Sequence, residues 1–172
     1  LAAAVILLIA ALGLTVYYLR RLNIQKTRQQ RSTAETAARM DAVIQTSLDG
    51  VIVANEDGNI LAFNAAAENI FGHAAEDVIG ESPGPLIVPD HMIEAHDAGM
   101  ARMKAGGEKR VVGKGRVQLE AKHSSGSLFP VELAIQSAET EQGKIFIAFL
   151  RDISMRVAAE KELIEARDQA LT

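Results

Sequence analysis

From Val111 to Ile135, in the stretch VVGKGRVQLEAKHSSGSLFPVELAI, apolar and polar positions alternate along two arms. Val117, Leu119 and Ala121 interleave with Gln118, Glu120 and Lys122. On the return, Phe129, Val131, Leu133 and Ile135 interleave with Pro130, Glu132, Ala134 and Gln136. A period of two marks a half-buried strand. Between the arms, His123-Ser124-Ser125-Gly126 offers a glycine for the positive φ of a hairpin loop. The stretch predicts one long antiparallel hairpin. Two strands alone are marginal in water, so it needs more strands and a cover for its apolar face.

The preceding chain offers both. Ala42-Val43-Ile44 and Leu48 read as a short amphipathic helix ended by Asp49-Gly50. Val51–Ala54 and Ile60–Phe63 read as strands around the turn Asn55–Asn59. Asn64 is placed to cap a helix carrying Ala67, Ile70 and Phe71, stopped by Gly72. A helical turn over residues 73–80 and a stretch broken by Pro83, Pro85 and Pro89 follow. Asp90 to Ala105 reads as a longer helix capped by Asp90 and closed by Gly106-Gly107. After the hairpin, Ile145 to Leu150 is apolar on both faces, as a central strand is. The expected plan is α+β: a five-stranded antiparallel sheet with helices on one face, enclosing a small apolar pocket.

The two ends have a different pattern. Residues 1–19 carry no charge, enough to cross a bilayer as a helix. Tyr17 and Tyr18 sit at the end of this run, and Arg20, Arg21, Lys26, Arg28 and Arg31 follow before the first acid, Glu35. A signal peptide carries its basic residues before the apolar run, so this is read as a membrane helix. The positive-inside rule then places the remainder on the cytoplasmic side of the inner membrane. Residues 20–39, without Gly or Pro, read as a helical connector whose basic start suits anionic lipid. At the other end, Val157, Ile164 and Leu171 recur every seven residues, as do Leu163 and Ala170, predicting a coiled-coil exit helix over 153–172 and a homodimer. The chain opens on Leu, which implies a cut from a longer protein.

Composition narrows the function. A net charge of -4 argues against nucleic acid as a partner. No cysteine is present, which excludes disulfides, thiolate catalysis and Cys-ligated zinc. No nucleophile–base–orienter set or metal spacing is found, and His73, His91, His96 and His123 are scattered. Gly113-Lys114-Gly115 imitates a phosphate loop but is expected inside a kinked strand rather than before a helix. The 172 residues themselves therefore read as a non-enzymatic sensing module.

Residues 40–152 resemble a PAS domain of the sensory kind found in bacterial signalling proteins. The resemblance is carried by LDGVIVANEDGNILAFN, AAENIFGHAAEDVIG, GSLFPVELAI and the terminal Arg151-Asp152-Ile153-Ser154, in that order. It implies that Asp152, Ile153 and Ser154 couple the last strand to the exit helix, with Asp152 or Ser154 as its cap. The tail AAEKELIEARDQAL resembles the segment leading into the dimerisation helices of histidine kinases. That resemblance implies a protein-histidine kinase domain further along the chain and a response regulator as partner. A diguanylate cyclase or chemoreceptor output stays open as an alternative.

For the pocket, the resemblance offers haem b as one reading and an empty or apolar-filled pocket as the other. Flavin-adduct photochemistry in this family requires a cysteine, and there is none. The run HDAGMARMKAGGEKRVVGKGR is similar to the haem-ligand helix and following strand of oxygen-sensing PAS proteins. It implies His96 as iron ligand, Arg102 on the propionate side and Arg116, twenty residues after His96, as the contact to bound gas. Alternation opposes the last of these, because a strand that points Val117, Leu119 and Ala121 into the pocket turns Arg116 out unless a bulge intervenes. Leu133 and Ile135 are expected to line the pocket against the helix carrying His96.

Overall fold

A computed structural model describes the backbone of residues 2–107 and 111–170, and the side chains of 13–31, 34–107 and 111–169. The chain divides into two units, residues 1–43 and 44–172. The described residues of the first all lie within the helix α1 (Ala2–Gln45). The connector is thus helix, as its composition predicts. The helix expected to begin at Ala42 is instead the end of α1, since nothing near Asp41 breaks the helical run. Among the described residues no helix is long and apolar enough to cross a membrane. The side chains of residues 1–12, most of the uncharged run, lie outside the described residues.

The second unit carries one sheet in the order β2-β1-β5-β4-β3, antiparallel throughout. The strands are β1 (Gly50–Asn55), β2 (Ile60–Phe63), β3 (Arg116–Lys122), β4 (Leu128–Thr140) and β5 (Gly143–Asp152). The apolar last strand is indeed central. Between β2 and β3 run α2 (Ala65–Phe71), α3 (Ala75–Val78), α4 (Pro83–Ile87), one 3-10 turn at Asp90–Met92 and α5 (Ile93–Lys104). After β5 comes α6 (Ser154–Ala170). Leu171, one of the seven-residue repeat positions, lies outside the described residues, and Val157 and Ile164 are exposed on α6.

Register sorts the two sheet faces. Leu133 stands opposite Val117 and Leu150, and Ile135 opposite Ala148, which in turn faces Ile52. These residues share the helix-covered face. The core beneath the helices gathers Ile52, Ile60, Phe63, Ala67, Phe71, Val78, Val131 and Leu150. The Phe71 ring centroid lies 5.8 Å from that of Phe129 and 6.2 Å from that of Phe63, both pairs tilted, an arrangement aromatic pairs favour. Asn64 caps α2 through Oδ1, accepting from Ala67 N at 2.9 Å. Gly72 ends it at φ 72°, and a Cβ there would strike His123 and Ser124 of the hairpin loop. The far edge of β2 is covered, because Ile60 exchanges backbone bonds with Gly80 and Glu81, which removes an open pairing edge.

Two expectations need correction. Asp90 does not cap α5, whose start has no side-chain cap. Its carboxylate instead accepts from Lys122 Nζ of β3 at 2.7 Å. Gly113-Lys114-Gly115 lies in a turn before β3, not within a strand, with Gly113 and Gly115 at φ 74° and 88°. Left-handed backbone at two positions in three breaks a ladder, leaving a single parallel bridge from Val112 to Ile135.

Candidate functional site: a cavity under α5 and the joint at Asp152

Helix α5 leans on the end of the sheet where side chains are small. Ala148 occupies the central strand between Ile52 and Ile135. Ala54 stands next to Phe146. The volume these two alanines leave unfilled is a cavity of about 100 Å³. Its walls are Ile52, Ala54, Ile135, Phe146 and Ala148 from the sheet, Val112, Gly58 and Pro83 from loops, and His96, Met100 and Met103 from α5. The helix is closed by Gly106 at φ 75° and by Gly107 N, which donates to Arg102 O at 2.9 Å.

The residues read from the sequence fall in different places. His96 and Ile135 line the cavity. Leu133 does not; it packs against the buried core cluster one strand pair along. His96 Nδ1 lies 3.1 Å from Asp97 Oδ1. Arg102 is half-buried outside the cavity, and its Nε is buried without a hydrogen-bond partner among the described residues. Arg116 stands opposite Ala134, on the face that carries Glu132 and away from the helices. Its guanidinium pairs with Glu132 at 3.2 Å and Asp49 at 3.5 Å. Haem does not fit this arrangement. Pockets for ligands of drug size span ~300–1,000 Å³, well above this cavity, and Arg116 is committed on the opposite face.

The joint to α6 is tight. Asp152 Oδ1 accepts from Ser154 N at 2.8 Å and from Ser154 Oγ at 2.6 Å. A carboxylate at a helix start satisfies free N–H groups and complements the dipole. Between them Ile153 is buried and donates its N–H to Pro130 O at 3.1 Å. Asp152 is thus the side chain that caps, while Ile153 anchors the turn to β4.

Around this joint lies an ion-pair network that sequence reading missed. Arg151 binds Asp49 in two-pronged fashion, at 2.8 and 3.2 Å. Arg116 bridges Asp49 and Glu132, and Arg156 of α6 reaches Glu132 at 3.3 Å. Both carboxylates are largely sheltered, with Asp49 14% and Glu132 15% exposed. The hydrogen bond that Arg151 donates to Asp49, then the carboxylate's charge, raises the guanidinium's pKa above its ordinary range. The only hint in the sequence is the opposed pair Glu132 and Arg151, legible once β4 and β5 are registered.

A second tie joins Asn64 to the chain entering the domain. Its Nδ2 donates to Ile44 O at 2.9 Å and Asp49 O at 3.1 Å, while Oδ1 also accepts from Val51 N at 2.8 Å. Asn64 is fully buried with its amide satisfied on both ends.

An antiparallel sheet with short helices over one face and a capped exit helix defines an α+β domain with a single covered face. The family model described as PAS fold matches residues 38–153. The chain belongs to the PAS family. It is similar to a solved PAS domain of an HTR-like protein from Haloarcula marismortui, 26% identical with a TM-score of 0.57, covering 74% of this chain and 99% of that one. It is also similar to a PAS domain from a two-component sensor histidine kinase, at 15% identity and a TM-score of 0.54, over 70% and 98% of the two chains. Among curated sequences, an uncharacterized protein of Azorhizobium caulinodans is 42% identical over 77 residues, which is 45% of this chain. The match spans 10% of that relative's length.

Proposed function

We propose that this chain is the sensing and relay segment of a membrane-anchored sensor histidine kinase, with the α5 cavity as its input and α6 as its output. One observation carries the reading. The same strand, β5, lines the cavity with Phe146 and Ala148 and ends at Asp152, the cap of α6. A change of volume in the cavity displaces β5, and the cap offers α6 discrete arrangements rather than a continuum. The exposed apolar residues Val157, Leu163 and Ile164 on α6 support a homodimer through that helix. The kinase output, with a response regulator as partner, rests on the likeness of AAEKELIEARDQAL to the segment before kinase dimerisation helices. Membrane anchorage rests on the uncharged run 1–19 and the basic cluster after it, which puts the PAS domain on the cytoplasmic side.

The test is Asp152→Ala in the full-length protein. Losing a cap costs about 0.5–2 kcal/mol, so the domain stays folded by circular dichroism. Autophosphorylation shifts in one fixed direction and its response to signal is blunted. Unchanged autophosphorylation and an unchanged response would show that the relay does not pass through this joint.

A further inference from the structure

We propose that His96, Met100 and Met103 form a binding site for a soft monovalent metal ion, Cu(I). This names a ligand class for the α5 cavity and so deepens, and rests on, its reading as the input site. The three residues follow one another on α5 at spacings of four and three, which places successive side chains on one helix face. All three border the same cavity, and among the described residues every other side chain in its wall is apolar or absent. Among the described residues the side-chain lone pairs at this wall are therefore one imidazole's and two thioethers'. Thioethers are soft donors that select Cu(I), and imidazole suits copper as well.

Methionine in a core ordinarily fills irregular gaps. Here the two methionines border a gap that is left open, so filling does not account for them. Gly58 adds to this: it sits at φ 90°, and a Cβ on it would come within 3.0 Å of Met100 Cε.

The charge balance also favours a monovalent ion. Three neutral donors leave a bound Cu(I) with one positive charge in an apolar surround. The Asp97 carboxylate, 3.1 Å from His96 Nδ1, offsets it from the second layer. That contact favours the tautomer with the proton on Nδ1 and leaves the Nε2 lone pair for metal. Hard divalent ions lack partners, since no group of three His, Cys, Asp or Glu side chains gathers among the described residues. Access is provided from two sides. Met100 and Met103 also border a polar cleft with Glu56, Asp57, Lys104 and Lys144. His96 and Met100 border another with Asp57, Ser82 and Asp97. Copper enters and leaves as Cu(I), with no change of oxidation state.

The experiment is anaerobic titration of the whole chain in detergent with Cu(I), in competition with the chelator bathocuproine disulfonate. The native chain holds copper stoichiometrically, and X-ray absorption at the copper edge shows sulfur scatterers. Met100→Leu and Met103→Leu keep volume and fold, and each weakens retention by at least about tenfold; Asp97→Asn weakens it about 10–100-fold, the usual cost of losing a second-layer partner. The proposal is overturned if the native chain surrenders its copper, if the double Leu variant holds it as well as the native chain, or if only nitrogen and oxygen scatterers appear. Ala148→Leu, which fills the cavity, separates the two readings. If it alters kinase output while the native chain binds no copper, the input reading stands and the metal falls. If copper is held but output ignores Ala148→Leu, the metal site stands and the input reading falls.

Discussion

Arg151 grips Asp49 with two hydrogen bonds, Nε to Oδ1 at 2.8 Å and Nη2 to Oδ2 at 3.2 Å, across 102 residues of chain. Asp49 immediately precedes β1, and Arg151 immediately precedes the capping Asp152. The pair therefore fastens the way into the domain to the way out. Arg116, Glu132 and Arg156 extend the pair into a chain of charges that runs from Asp49 to α6.

A double-mutant cycle on Asp49→Asn and Arg151→Gln measures the strength of that fastening. Arg151 is 55% exposed, which keeps the expected coupling small but distinct from zero. It falls with added salt, because exposed charges are screened. Strictly additive urea-unfolding energies would show that the two residues are only neighbours.

Asn64→Ala removes a cap and leaves the N–H of Val51 and the carbonyls of Ile44 and Asp49 short of partners. A lost cap costs about 0.5–2 kcal/mol and the buried Val51 N–H left unpaired about 1–3 kcal/mol, while the Ile44 carbonyl still accepts from Ser47 N. The expected destabilisation is about 2–4 kcal/mol by denaturant unfolding. Asn64→Asp keeps the acceptor oxygen but loses both donors, so it restores only the cap. Equal stability for Asn64→Asp and the native chain would contradict the donor half of this account.

The hydrogen bond from Lys122, then its charge, holds the Asp90 carboxyl below the usual aspartate range. The folded pKa is therefore lower than the unfolded one, about 3.9. A depressed pKa means that the unfolded chain binds the proton first. The stabilisation is present above about pH 4 and is lost as pH falls through the folded value. In an NMR titration Asp90 has a midpoint below that of an ordinary aspartate, and Lys122→Met moves it back up. A midpoint unmoved by Lys122→Met would remove the lysine as the cause.

Local patterns were legible wherever the chain decides its own conformation. Asn64 and Gly72 bound α2 as their chemistry requires, and alternation alone put Leu133 and Ile135 on the covered face. Alternation does not say where along that face the helix lands. Leu133 meets Leu150 and joins the core, whereas Ile135 meets Ala148 and borders space. Asp90 looked like a cap because a capping side chain and a carboxylate seeking a lysine are the same residue in sequence. Lys122 becomes its neighbour only when β3 folds back. The Asp49–Arg151 tie was invisible for the same reason. Arg116 was drawn toward the pocket by a spacing, while the pleat of β3 had already turned it outward.

The place of β5 in the middle of the sheet has a consequence for how the protein is made. The pairs β1–β2 and β3–β4 are each closed by a local turn, but no ladder joins one pair to the other. The strand that emerges last from the ribosome supplies both missing ladders. Until residues 143–152 are clear of the exit tunnel, the nascent chain carries two hairpins whose inner edges, β1 and β4, are open, and open edges recruit other strands. Release of a prematurely terminated chain ending before Gly143 would thus yield a sticky half-sheet, so the domain commits to its fold late and all at once.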